Sequence, residues 1–356
     1  MFFFHIVSVS FIKIVVNDTF ILFKAQGLMK KIFMVVCFLA LSYAEATVPL
    51  SNLIETDKTT CLEELEKATD AQLWDVFLEG QSKLFFDSEF AWIAKGIWWQ
   101  EAKNILEIGS GNGAYLYRLS QQFQDKMYKG VEKLSQPVKD ANKRYACSNL
   151  IFEEGDAEVF DERLVNSVDI ILFRLTLQHL KDSFIALKNA AYYLSSNGYI
   201  VIIDSYDKAK SSSHPISAVD EALELVAEVQ KKAGKGNRKV TLELLQMLEN
   251  KHSPLSEFYE VVSSNLDING DVIGDCVCFQ GERSRILYFN HGLLFLTLLH
   301  RTYHIPVDLN RAYDELQDYL HDENAWTSPG MHFLVLKKKK ETFPELLEAI
   351  KRKAGK

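Results

Sequence analysis

The fold class this sequence predicts is an open α/β sheet, and two observations predict it. From residue 104 to about residue 204, short apolar runs alternate with longer amphipathic stretches. Directly after the first run, in "NILEIGSGNGAYLYRLS" (104–120), three glycines stand at alternate positions before a helix-like pattern. Runs at 104–108, 128–132, 150–153, 168–173 and 199–204 have strand length and composition. The stretches between them, 114–123, 136–147, 156–164 and 181–194, suit helices. Strands separated by helix-length segments imply right-handed crossovers and a parallel sheet covered on both faces. Ser196-Asn197-Gly198 offers the last of these helices residues that tolerate a left-handed cap.

Outside this region the pattern is mostly helical. Residues 60–100 read as helices rich in aromatics (Trp74, Phe77, Phe85, Phe86, Phe90, Trp92, Trp98 and Trp99), expected to form core and lid. After the sheet, "SAVDEALELVAEVQKK" and "TLELLQMLENK" are amphipathic helices around a turn-rich 234–238. Then come β-rich pieces at 258–262 and 275–279, helices at 285–300 and 309–320, and a closing strand at 331–337.

Composition bounds the answer. The chain has 356 residues, 47% apolar and 25% charged, enough for a core in one large domain or two small ones. A formal net charge of −8 counts against a general nucleic-acid binder, whose affinity rests on phosphate neutralisation. The basic runs 337–340 and 351–356 read as solvated charge. The oligomeric state stays open.

Met29 opens "MKKIFMVVCFLALSYAEATVPL": two lysines, an apolar stretch 32–41, and an Ala44-Glu45-Ala46 cleavage pattern, the three parts of a secretory signal peptide. The expectation is a start at Met29, export after cleavage, and an artefactual extension over 1–28. The alternative is a membrane anchor covering both apolar runs, or a chain that stays in the cytoplasm. Cys61, Cys147, Cys276 and Cys278 would remain in the mature chain, read as buried or free thiols, with their disulfide state open. Cys276-Val-Cys278 is too tight for a zinc pair and has no partner spacing, so no metal site is expected. "DINGD" (267–271) opens like a calcium loop but lacks the sixth-position glycine and the twelfth-position glutamate, so it is rejected.

A strand–glycine–helix corner welcomes an anion or an amino-acid moiety, because helix N-terminal amides carry partial positive charge. Gly109-Ser110-Gly111-Asn112-Gly113-Ala114 reads as G-x-G-x-x-A, the dinucleotide pattern, or as E-x-G-x-G-x-G counted from Glu107. Glu132, 21 positions after Gly111, ends the second strand, where a carboxylate can accept from both ribose hydroxyls. Glu107 would repel a pyrophosphate but suits an α-ammonium. Asp156, at the end of the third strand, can accept from an adenine amino group, and Ala157 leaves room for the ring.

Taken in order, "NILEIGSGNGAYLYRLS", "YKGVEKLSQPVKDAN", "FEEGDAEVF", "SVDIILFRLTLQHLKD" and "YYLSSNGYIVIID" resemble the motifs of the class I S-adenosylmethionine (SAM)-dependent methyltransferases, of the small-molecule type. The resemblance implies a Rossmann-like, doubly wound seven-stranded sheet with its last strand antiparallel, for which 331–337 is the natural seventh. It divides the chain into an extension and leader (1–46), an N-terminal helical cap (47–103), a SAM-binding core (104–206), a substrate-side insertion (207–330) and a final strand with a basic tail (331–356). It implies that Gly109, Ser110, Gly111 and Gly113 surround the amino-acid end of SAM, that Glu132 binds the ribose, and that Asp156 and Ala157 hold adenine. Arg174 falls near the methionine carboxylate, a position that often gives only backbone contact. His179 and Asp204 are weak candidate bases, and His179 reads more readily as a packing or helix-capping residue. The implied activity is methyl transfer to a small-molecule acceptor. A methyltransferase-fold binding module without turnover and an NAD-dependent oxidoreductase are the alternatives.

Overall fold

The computed structural model describes residues 4–8, 11–16, 19–24, 50–233, 236–250 and 253–339. Met1–Pro49 form a unit of their own, in which strands Phe4–Ser8, Phe11–Val16 and Thr19–Lys24 make an antiparallel meander. The leader expected at 29–46 lies outside the described residues.

The second unit, Leu50–Lys356, is built on a seven-stranded sheet. Its strands are β1 (Asn104–Ile108), β2 (Met127–Glu132), β3 (Leu150–Glu154), β4 (Val168–Arg174), β5 (Leu194–Ser205), β6 (Tyr259–Ser264) and β7 (Met331–Lys338). The spatial order is β6-β7-β5-β4-β1-β2-β3. The ladder from β5 through β3 is parallel, and β7 runs antiparallel to both β5 and β6. The direction of winding reverses between β4 and β1. In open α/β sheets that reversal leaves a crevice at the carboxyl ends of the strands. Strand β6 lies inside the segment expected to be an insertion, yet it completes the sheet's far edge.

Helices cover both faces. On one side Leu106 and Ile108 of β1 pack with α6 (Ser183–Tyr193) and α8 (Val240–Glu249), the latter leading through the short α9 (Pro254–Phe258) into β6. On the other, Ile105 shares a core with α4 (Ala114–Gln122) and with helices from both ends of the chain. This is the alternation a strand imposes on its side chains. The N-terminal helices are α1 (Lys58–Lys67), α2 (Asp70–Lys95) and α3 (Ile97–Glu101). The later ones are α5 (Ser135–Tyr145), α7 (Ser217–Ala233), α10 (Glu282–Tyr303) and α11 (Leu309–His321). Helix α2 starts on a capping box, with Thr69 accepting from the Gln72 amide and Gln72 Oε1 from the Thr69 amide.

Three local expectations fail. The stretch 156–164 is not a helix: Asp156 accepts from the Glu158 amide and Asp161 from the Arg163 amide, leaving only a short 3-10 turn, Glu162–Leu164. Such side-chain bonds to nearby amides compete with helical ones. Ser196-Asn197-Gly198 makes no left-handed cap. Helix α6 ends when the extended Leu194 donates to Ala190 O, and the serines and glycine are absorbed into an irregular start of β5. The β-rich piece expected at 275–279 reduces to Phe279–Gln280, paired in a small separate sheet with Trp326–Ser328. Before it, Cys276 and Cys278 are exposed on either side of buried Val277, and all four described cysteines are free. In "DINGD", Asp267 spends its carboxylate on the amides of Asn269 and Asp271, closing its own turn. Among the described residues, no helix is long and apolar enough to cross a membrane.

Candidate active site

The glycine corner is dictated by backbone sterics. Gly109, Gly111 and Gly113 all sit at positive φ (78°, 54° and 80°), where an L side chain is strained. Space enforces the same choice. A Cβ at Gly109 would lie 2.5 Å from Thr176, and one at Gly113 would lie 2.7 Å from Phe152. The corner is therefore wedged between the β4 terminus and β3, and the Gly109 and Ser110 amides donate back to Val131 O.

Carboxylates end the three neighbouring strands. Glu132 on β2 accepts from the Gly111 amide (3.1 Å) and the Leu134 amide (3.0 Å), fastening the glycine turn to the strand beside it. Asp156, just after β3, is ion-paired with Lys133 (2.7 Å). That bond, with the Glu158 amide, holds its carboxyl below the usual range. Glu107 on β1 is buried, and its Oε2 has no hydrogen-bond partner among the described residues. Desolvation pushes its pKa up to about 8, against the opposing pull of Arg174. A buried acid with a vacant oxygen is a site made for a cation.

Two neighbouring cavities lie along this row. The smaller, about 440 Å³, is lined by Glu132, Asp156, Ala157 and Thr176 among others. The larger, about 870 Å³, takes in Glu107, Ser110, Gly111 and Arg174 and extends beneath α2 and α10. Gly109, Glu132, Leu175 and His179 line both. Leu175 carries φ 51° at the end of β4, a strained conformation for a bulky residue, held by its amide bond to Ile203 O.

Helix α2 roofs the larger cavity and is pinned to the core by polar clamps. Asn112 Nδ2 donates to the Asp75 carbonyl and carboxylate, and Arg144 donates to the same carboxylate at 2.7 Å. Glu79 accepts from Arg118 and Tyr145. The apolar lining comes from Phe77, Leu78 and Phe85 of α2 and from Phe295, Leu298 and Leu299 of α10. His291 of α10 stacks on Phe77 with ring centroids 4.5 Å apart.

The structure brings Glu107, Gly109, Ser110, Gly111, Glu132, Asp156, Ala157 and Arg174 onto the cavity walls, with Gly113 directly behind them as the left-handed N-cap of α4. His179 ends a short turn after β4, and its imidazole has no hydrogen bond among the described residues, so it caps nothing. The residue is exposed to solvent, and partial desolvation of its ring, with the Arg238 guanidinium nearby, lowers its pKa. Asp204 lines neither cavity. It is fully buried and accepts from the Gln178 and Ser205 amides, tying the turn after β4 to β5. Its pKa, raised by burial to about 6, reflects that position. Sequence reasoning missed Glu89, whose signal was a lone acid within "SEFAWIA", and it missed the polar group Gln178, Asp207 and Arg238. There Arg238 forks onto Asp207 and also donates to Gln178 Oε1 at 2.8 Å.

These residues fit an adenosyl-sulfonium ligand: a vacant buried acid, a glycine cradle that no Cβ could share, and acids at the ends of β2 and β3. A methyltransferase-domain family model matches residues 100–278, half of the chain. No curated protein matches the sequence. Among solved structures, the YcgJ protein of Bacillus subtilis is 17% identical over 72% of this chain and 99% of that one, with TM-score 0.39. The plantazolicin methyltransferase BpumL, in complex with SAH, is 14% identical over 88% of this chain and 100% of that one, with TM-score 0.41. With its sheet order, its glycine corner and this match, the chain belongs to the methyltransferase-domain family as a class I SAM-dependent methyltransferase.

Proposed function

We propose that the chain methylates a small, largely apolar organic acceptor bound in the cavity of about 870 Å³ beside the glycine corner. The observation that carries this reading is the wall of Gly109, Glu132, Leu175 and His179 that the two neighbouring cavities share. One chamber has the polar strand-end acids. The other has aromatic walls closed by α2 and α10.

In this reading SAM supplies an activated methyl group on a positively charged sulfur. Asp156 and Ala157 hold the adenine, Glu132 the ribose, and Glu107 the α-ammonium, with the glycine amides around the amino-acid end. The roof helices exclude water, which matters because charge on sulfur disperses as the methyl group moves. Alignment of acceptor and methyl group then carries much of the rate. His179 and Asp204 have no assigned proton to move: one is weakly basic, the other buried away from the cavity.

Release of S-adenosylhomocysteine (SAH) from SAM in the presence of a metabolite extract tests turnover. Calorimetric binding of SAM with no turnover on any extract would instead favour a binding module. Export from a start at Met29 is part of the proposal, and a mature terminus at Thr47 by N-terminal sequencing is the result it requires.

A further inference from the structure

We propose that the acceptor is an apolar carboxylic acid, that Arg174 binds its carboxylate, and that the product is a methyl ester. This rests on the methyltransferase reading above and narrows it to one acceptor chemistry.

The first observation is a cation with donors to spare. Arg174, at the end of β4, is buried, its side chain only 6% exposed. Its Nε donates to Glu89 Oε2 at 2.7 Å and its Nη1 reaches Gln81 Oε1 at 3.4 Å, while the buried Nη2 has no partner among the described residues. The guanidinium lies over the Tyr115 ring, 4.1 Å from the centroid, and Arg174 lines the large cavity. A buried N–H pair without an acceptor is costly to leave unmade. A planar guanidinium fork at a cavity wall matches a carboxylate better than any neutral group.

The second observation is that several groups on the cavity wall are already engaged. His291, stacked on Phe77, has its pKa lowered to about 3 by burial and by the Arg174 guanidinium. A group that weak takes up a proton poorly at neutral pH. Asp75 and Asp207 are committed to Arg144 and Arg238, and Glu132 to two amides. An alcohol or an ammonium would need to lose a proton during reaction. A carboxylate does not. Its oxygen forms the new bond to the methyl carbon with its own lone pair, the carbon–sulfur bond leaves its electrons on sulfur, and no proton moves. The third observation is the aromatic lining of the same cavity, from Phe77, Phe85 and Phe295, which suits an apolar tail.

The test offers matched series of aryl-alkanoic and medium-chain fatty acids, with their alcohols and amines, to the full chain with labelled SAM. Label in an alkali-labile ester from acids alone supports the proposal. Equal or greater labelling of alcohols or amines overturns it. Calorimetry on SAH-loaded protein should show R174Q weakening the best acid at least tenfold while SAH affinity changes less than threefold. Loss of SAH affinity in R174Q, with 5′-methylthioadenosine (which lacks the amino-acid end) binding unchanged, would assign Arg174 to the cofactor's own carboxylate and sink the proposal. Because R174Q strands Glu89, the double variant E89Q/R174Q serves as the folded control and must lose the acid as well. If the wild type binds neither SAM nor SAH, the underlying methyltransferase reading has failed instead.

Discussion

Arg174 Nε and Glu89 Oε2 meet at 2.7 Å with both side chains buried, joining the end of a central strand to the C-terminal third of the roof helix. Sequence places them 85 positions apart. The pair carries the roof's position to the cavity floor, so lid and site are one piece of structure. Breaking such a pair on one side leaves a buried charge uncompensated. Glu89→Gln should therefore cost about 3–5 kcal/mol of stability, and pairing it with Arg174→Met should recover most of that loss. Urea denaturation of both variants checks this, and an unaltered midpoint for the single variant would refute it.

Glu107 should make binding depend on pH. With its pKa raised to about 8, the acid is mostly protonated at neutral pH in the free protein, yet an ammonium ligand favours the charged form. SAH affinity should rise as pH increases from 6 to 7.5, and Glu107→Gln should flatten that rise. Stability runs the other way. The folded-state pKa lies above the ordinary glutamate value of 4.5, so the group's contribution is full below that value and is lost as pH rises through about 8. Thermal midpoints of the wild type should fall more between pH 5 and 8 than those of Glu107→Gln.

Gly109→Ala should be destabilising by more than about 1 kcal/mol, because φ 78° opposes any Cβ and that Cβ would meet Thr176 at 2.5 Å. Trimming the neighbour in a Gly109→Ala/Thr176→Ser variant relieves only the second part. Calorimetric SAH affinity should fall in both variants.

Glu132→Ala should weaken SAM binding by about 1.5–3 kcal/mol through loss of hydrogen bonds to a charged group. The same change frees the Gly111 and Leu134 amides, so protection of those amides from hydrogen exchange should fall with it. A dissociation constant equal to that of the wild type would mean the ribose lies elsewhere.

Asp204→Asn separates support from chemistry. It replaces one amide acceptor with a donor facing an amide, which should cost about 1–3 kcal/mol of stability. Bound to SAM at saturation and below its unfolding temperature, the variant should keep most of its turnover. A drop of a hundredfold or more would restore Asp204 to the reacting groups.

The difference between what was legible and what was not follows the range of the forces involved. Strand and helix periods, the glycine spacing, and the acids Glu107, Glu132 and Asp156 are local. Parallel pairing then brings those three acids to one edge of the sheet, since adjacent parallel strands end side by side. The reading of 156–164 as a helix failed because apolar spacing does not register side-chain bonds from Asp156 and Asp161 to the backbone. His179 and Asp204 looked alike in sequence, yet folding left one in the cleft and sealed the other beneath it.

The sequence by itself determined the α/β class, the sheet's central strands and the row of strand-end acids, because each follows from short-range pattern and from steric limits at glycine. Only the tertiary structure decided the walls of the large cavity. The pairing of Arg174 with Glu89, the stacking of His291 on Phe77 and the closure of α2 and α10 over one chamber join residues far apart in the chain. No periodicity encodes such contacts; they exist only once burial has brought the helices together.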